Sequence, residues 1–332
     1  MENTHKRVLV TGASGFIGGH ACTALSRTGA LVRAMVRKTS DVRHLDPTAV
    51  EICYGDLSDE QSLLDACKDI DVIVHTAAVV GSFGEWAHFH ETGVMGTKRL
   101  LDAAQTQGVS RFVHLSSIAV YGLKHHGRAI DESTTFDQLP QPWNHYVREK
   151  VMTEEILWRA HGEGRIQATA VRPSVVIGSR DRNAMPRMVD LLKFPIIAMP
   201  GSPHNRFPVV CIKDCIEAIL RVIDNDLTIG RAYNVSGKKS ITISELFGLV
   251  AKHGNLKAPS IFLPPSVLYF PVGLLEGAWR LLQRPAEPLV TRIAIAIAGY
   301  DYEIVCDRAY RELDWVPEDD YASAVIAALT PP

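Results

Sequence analysis

Tyr146 and Lys150 stand four residues apart in the run Tyr146-Val147-Arg148-Glu149-Lys150, within a stretch, 143–161, whose apolar residues recur at helical spacing. At that separation a phenol and an ammonium share one helix face. A free phenol has a pKa of about 10, too high for an efficient base near neutrality, and an adjacent cation favours the phenolate. The pair makes a usable proton donor and acceptor. By itself the spacing recurs by chance, and a surface tyrosine beside a lysine reaching for solvent is the plain alternative. Ser117 raises it above chance. It follows the strand-like run 111–115, at the carboxyl end where open parallel sheets bind ligands. Ser116 is its competitor, and because successive strand side chains point to opposite faces, only one of the two serves the site. Hydride transfer at a secondary alcohol or ketone carbon needs such a trio. Tyr146 moves the hydroxyl proton, Ser117 hydrogen-bonds the developing oxyanion, and Lys150 lowers the phenol pKa and binds the nicotinamide ribose.

A cofactor able to exchange the hydride has a place upstream. Thr11-Gly12-Ala13-Ser14-Gly15-Phe16-Ile17-Gly18 follows a strand-like run and opens a helix. Gly12 allows the tight turn, Gly15 lets backbone approach a pyrophosphate, and Gly18 lets helix and strand pack closely. Ser14, Phe16 and Ile17 complete the cofactor-facing turn between them. Arg37 lies 25 residues past Gly12, with Lys38 beside it and no acid before Asp41. An arginine there accepts a ribose 2′-phosphate, so NADP(H) is preferred and NAD(H) is the alternative.

The elements that must position these groups follow the rhythm of βαβ units. Runs 6–10, 30–36, 50–54, 71–75, 111–115 and 167–172 read as strands, and 16–28, 59–68, 85–107 and 143–161 as helices. The expected class is α/β, a Rossmann-type doubly wound parallel sheet with a smaller, mixed C-terminal substrate domain. The dinucleotide-binding domain spans 1–178 and the substrate-binding domain 179–332, with some later segments returning to pack on the sheet. Prolines 173, 186, 195, 200, 203 and 208 mark where the alternation weakens. Residues 261–282 are unusually apolar, yet three prolines, Glu276 and Arg280 interrupt them, so they do not form a spanning helix. They read as a helix capping the substrate pocket, with peripheral membrane contact through this segment as the alternative.

Composition narrows the partners. Apolar residues make up 46% and charged residues 22% of 332, the balance of an ordinary globular protein. Lys plus Arg total 35 against 37 Asp plus Glu, which leaves no global positive field and makes nucleic acid an unsuitable partner. Six scattered cysteines lack metal-ligand spacing and point to a reducing compartment. No metal is expected. The N-terminal run passes straight into a strand with no leader pattern, so the expected location is cytoplasmic.

Together these residues resemble the extended short-chain dehydrogenase/reductase family over nearly the whole chain. The matching elements are TGASGFIG at 11–18, GDL at 55–57, HTAA at 75–78, SSIAVYG at 116–122, YVREK at 146–150, RPSVVIG at 172–178 and AYNVSG at 232–237. The resemblance implies that Asp56 holds the adenine amino group with Leu57 packing on the ring. It implies that Ala77 and Ala78 pass beside the pyrophosphate and nicotinamide ribose, and that Pro173 and Val176 border the nicotinamide. One departure stands out: where the family carries Asn-Val-x-Gly-Thr, this chain reads Gly93-Val94-Met95-Gly96-Thr97, so a proton relay through that position is in doubt. Two branches compete. The nucleotide-sugar epimerases and dehydratases, with tightly bound NAD, hold a sugar diphosphate with an Asn that RPSVVIG lacks and an Arg from which Arg206 is displaced by one strand residue, hence onto the other face. The branch similar to 3β-hydroxysteroid dehydrogenases and dihydroflavonol reductases binds apolar rings. Phe83 and Trp86, with the apolar 261–282 segment, suit that small hydrophobic substrate. A non-catalytic NADP(H)-sensing protein is the third reading, but such proteins tend to lose the Tyr or Lys kept here. Similar proteins form homodimers through the helices at 85–107 and 143–161, which implies the same here. His125 and His126 read as solvated loop residues without a role.

Overall fold

Parallel strands buried on both faces need near-continuous β-branched and aromatic runs rather than alternation. Seven strands, not all of them such runs, form one parallel sheet in the computed structural model, which describes residues 6–79, 81, 83–122, 127–138, 140–141, 143–282, 284 and 287–330. The strands are β1 (Arg7–Thr11), β2 (Leu31–Val36), β3 (Val50–Tyr54), β4 (Val72–His75), β5 (Arg111–Leu115), β6 (Gln167–Pro173) and β7 (Arg231–Val235), in the order β7-β6-β5-β4-β1-β2-β3. The sheet reverses direction of growth between β1 and β4, with Thr11 level with Met35 on one side and His75 on the other. A crevice opens beyond their carboxyl ends, where doubly wound sheets take ligands.

Helices α1 (Phe16–Arg27), α2 (Glu60–Cys67), α3 (Gly96–Thr106) and α4 (His145–Gly162) connect the first six strands. Then follow α5 (Ala184–Leu192), α6 (Ile212–Ile223), α7 (Ile243–Gly254), α8 (Pro265–Leu281), α9 (Arg292–Gly299), α10 (Asp307–Leu313) and α11 (Tyr321–Leu329). One face of the sheet is covered by α1, α6 and α10, the other by α2, α3 and α4, each through its own buried apolar cluster. A third cluster joins α5, α7 and α11 away from the sheet. Segments beyond residue 178 return to the first layer: β7 forms the edge beside β6, and α6 packs on α1. The strand at β7 is not visible as periodicity because Asn234 interrupts its apolar run, yet Asn234 is buried and bonded to backbone oxygens of Ile130 and Val305.

The 85–107 stretch is not the single α-helix its spacing suggests. It comprises one turn at Trp86–His88, a π-helical segment at Phe89–Met95, and then α3. A π segment inserts a residue into the helical ladder and is common beside functional sites. His125 and His126 lie outside the described residues.

Candidate active site

The glycine turn has the shape that its spacing predicts. Gly12 adopts φ +68°, and a Cβ there would lie 2.8 Å from the backbone of Ala77. A Cβ on Gly18 would strike the Gly12 carbonyl oxygen, so any side chain would push α1 off β1. Gly15 caps α1 without a side chain, leaving the first helical N–H groups and the dipole's positive end for an anion. Gly12, Ser14, Gly15, Phe16, Ile17 and Gly18 all border one continuous cavity of about 1470 Å³. A bare cradle at a helix N-terminus opening into such a space fits a dinucleotide.

Arg37, Asp56 and Leu57 border the same cavity. The Asp56 carboxylate accepts from the Ser58 hydroxyl at 2.7 Å and backbone N–H at 2.9 Å, bonds that hold its pKa below the usual range and keep it an acceptor. Ser40 Oγ accepts from the Arg37 N–H and from Ser14 Oγ, each at 3.2 Å, tying the turn after β2 to the glycine turn. Ser40 and Arg182, also on the cavity wall, were not found from the sequence. The arginines at 180 and 182, just past the strand at Val175–Ile177, were a readable signal for a cationic wall.

Beneath the turn a hydrogen-bond chain crosses the switch point. The Ala77 N–H donates to Thr11 Oγ1 at 3.4 Å, Thr11 Oγ1 lies 2.7 Å from His75 Nδ1, and His75 Nε2 lies 3.0 Å from Thr97 Oγ1. The Thr97 hydroxyl donates onward to the Gly93 carbonyl at 2.7 Å. Thr97 thus accepts from His75 Nε2–H, and Thr11 donates to Nδ1. Burial lowers the His75 pKa to about 3, so it is a neutral link.

Tyr146, Lys150 and Ser117 all border this cavity. Asn144 caps α4 by accepting from the Val147 N–H at 3.2 Å, which sets Tyr146 in the first turn and Lys150 one turn deeper. The Lys150 Nζ lies 5.7 Å from the Tyr146 ring centre. Ser117 borders the same space at the start of the short helix Ile118–Tyr121, its Oγ accepting from the Ala119 N–H at 3.2 Å. Ser116 borders the cavity too, but its hydroxyl is taken: it donates to Glu154, which is itself held by Arg172 through bonds of 2.8 and 2.6 Å. Ala77, Ala78, Pro173 and Val176 border the cavity beside the trio.

Beyond Tyr146 the cavity becomes an apolar chamber lined by Leu191, Met199, Phe207, Leu268, Val272 and Ile297. Helix α8 is its wall. Leu268, Val272 and Leu275 face inward, while Phe270 and Leu281 on the outer side are 72% and 85% exposed. Among the described residues no helix is long and apolar enough to cross a membrane. Phe83 and Trp86 are not brought to the cavity. The Arg148 guanidinium lies 3.8 Å from the Trp86 ring, and Arg280 lies 5.3 Å from the Phe83 ring. Arg206 is also elsewhere, paired with Asp301 at 2.6 Å and Glu303 at 2.9 Å, while its neighbour Phe207 lines the chamber.

Comparison with known proteins agrees with this geometry. Residues 8–236 match the model of the NAD dependent epimerase/dehydratase family. Sterol demethylase protein B of Methylococcus capsulatus is 32% identical over 320 residues, 95% of each chain. The 4-hydroxy-2-methyl-3-oxo-4-farnesyl-3,4-dihydroquinoline-1-oxide ketoreductase of Stigmatella aurantiaca is 25% identical, covering 93% of this chain and 91% of its own. The crystal structure of gox2253 superposes with a TM-score of 0.79 at 27% identity over 97% of each chain. The chain belongs to the NAD-dependent epimerase/dehydratase family and is an NAD(P)-dependent short-chain dehydrogenase/reductase of its extended branch.

Proposed function

We propose that the protein is an NADP(H)-dependent oxidoreductase that interconverts a hydrophobic secondary alcohol and its ketone. The observation that carries this reading is the continuity of one cavity, from the bare glycine turn past Tyr146, Lys150 and Ser117 into the chamber under α8. A bound nicotinamide dinucleotide supplies or accepts the hydride. Tyr146 gives its phenolic proton to the carbonyl oxygen during reduction and takes it from the alcohol during oxidation. Ser117 donates a hydrogen bond to that oxygen as negative charge develops on it. Lys150, only 4% exposed, holds positive charge beside the phenol and binds the cofactor ribose. Asp56 takes the adenine amino group, and Arg37 with Ser40 takes the 2′-phosphate.

The apolar chamber favours a ring-like or chain-like ketone over a sugar diphosphate. Each Å² of apolar substrate removed from water contributes about 25 cal/mol. The ion-paired Arg206 is withdrawn from any role with a diphosphate, which weighs against the epimerase reading. The names of the sterol demethylase and farnesyl-quinoline ketoreductase relatives lend the same support. A homodimer through α3 and α4 is part of this reading and is checked by the mass in solution at micromolar concentration.

The experiment is NADPH and NADH oxidation against steroid, flavonoid, aryl and β-keto acid ketones, with UDP-sugars as competitors. The reading expects turnover of an apolar ketone with a lower KM for NADPH than for NADH, and Arg37→Ala raising the NADPH KM about tenfold. Epimerisation of a UDP-sugar without net cofactor oxidation, or an NADH preference indifferent to Arg37→Ala, would replace it.

A further inference from the structure

Gly93, where similar proteins carry an asparagine, is not followed by empty space. A Cβ at Gly93 would lie 2.5 Å from both Cδ and Oε1 of Glu149, so the glutamate side chain lies against the glycine. Glu149 comes from α4, one residue before Lys150, and its side chain is 1% exposed. Its Oε1 lies 4.0 Å from Lys150 Nζ, and its Oε2 is buried with no hydrogen-bond partner among the described residues. Buried carboxyl oxygens are normally satisfied, and one left bare beside a functional lysine calls for an explanation. Taking the NADP(H) oxidoreductase reading as its basis, we propose that Glu149 is a positioning residue whose carboxyl, lodged against Gly93, sets the charge beside Lys150 and thereby the strength with which the site holds its cofactor.

Lys150 is the charged group acting on the Glu149 carboxyl. On the strands beneath, His75 and His114 are both held neutral by burial, His75 further so by Lys150 and His114 by His75. The π segment presents Gly93, whose carbonyl is already occupied by Thr97, while Glu91 is paired with Arg99. Farther along α4, Glu154 and Arg172 are closed on each other. Burial raises the Glu149 pKa to about 7, with the Lys150 ammonium opposing that rise. Below that value the carboxyl is neutral and Lys150 keeps its full charge for the ribose and the phenol. Above it, a carboxylate 4.0 Å from Nζ competes for the ammonium and adds negative charge beside an anionic cofactor. Cofactor affinity therefore falls as pH rises through neutrality.

The test is a fluorescence titration of NADPH into the full chain from pH 5.5 to 8.5, for wild type and Glu149→Gln. The glutamine keeps the shape and removes the titration, and the 2′-phosphate's own ionisation is common to both profiles. The expected result is an affinity loss from pH 6 to 8.5 that is about three- to tenfold greater in wild type than in the variant. Profiles that superimpose overturn the inference and leave a space-filling residue. Wild type that binds no NADPH at any pH overturns the oxidoreductase reading itself, a result distinguishable from superimposed profiles. A second pair guards against misfolding: Gly93→Ala lowers the melting temperature by displacing the carboxyl, and Glu149→Ala in the same chain restores it. Equal melting temperatures for Gly93→Ala and wild type would contradict the lodged geometry.

Discussion

Glu149 and Glu154 sit five residues apart on α4, both buried, and behave as opposites. Glu154 is saturated: Arg172 donates to both of its oxygens, Ser116 and Trp158 donate as well, and no surface is exposed. Glu149 has a lysine at 4.0 Å and one oxygen with no donor among the described residues. Burial is the same for the two, so the number of donors decides the difference. A carboxylate ringed by donors fixes structure, whereas burial without enough donors raises the Glu149 pKa. The adjacent serines both border the cavity, but the Ser116 hydroxyl is committed to Glu154 while Ser117 Oγ accepts only the Ala119 N–H among the described residues.

The sharpest way to break this contrast is Glu154→Gln. It strands the buried Arg172 guanidinium and should cost about 3–5 kcal/mol in chemical denaturation. A loss below about 1 kcal/mol would mean the clamp is not structural. Next, Ser117→Ala should lower kcat about 10²- to 10³-fold, because on the proposed reading it removes a donor to the developing oxyanion, while the lost cap to the Ala119 N–H costs only about 1 kcal/mol of stability. Glu149→Gln should stabilise, and only at higher pH. A carboxyl whose pKa is raised from 4.5 to about 7 keeps its proton in the folded state, so wild-type stability is full below about 4.5 and declines as pH rises to 7. The variant lacks that decline and should exceed wild type by up to about 3 kcal/mol above pH 7, with no gap near pH 4.5. A gap of the same size at both pH values would refute the titration. Smallest, Ser116→Ala should cost about 1 kcal/mol of stability and leave kcat intact.

Much of this was legible from residue order. The six strand runs, the glycine turn and the Tyr146–Lys150 spacing depend on local periodicity, which neighbouring residues carry themselves. Parity along the chain also put Arg206 and Phe207 on opposite faces, and Phe207 is the one that borders the cavity. What could not be read came from contacts distant in sequence. Gly93 looked like a lost asparagine because nothing local shows that Glu149, 56 residues later, fills its place. Phe83 and Trp86 looked like substrate residues because their aromaticity is visible, whereas their arginine partners, Arg280 and Arg148, lie far along the chain. For 261–282, pocket cap and interfacial helix were competing readings. Helix α8 walls the chamber through Leu268, Val272 and Leu275, while Phe270 and Leu281 on its other side are exposed.

The account stands most directly on Tyr146 as the group that moves the proton. Single-turnover mixing of ketone with the NADPH complex of Tyr146→Phe measures that step alone. The account predicts an NADPH dissociation constant within about twofold of wild type and a hydride-transfer rate lowered about 10²- to 10⁴-fold. A variant that binds NADPH equally well and still reduces the ketone at the wild-type rate would contradict it.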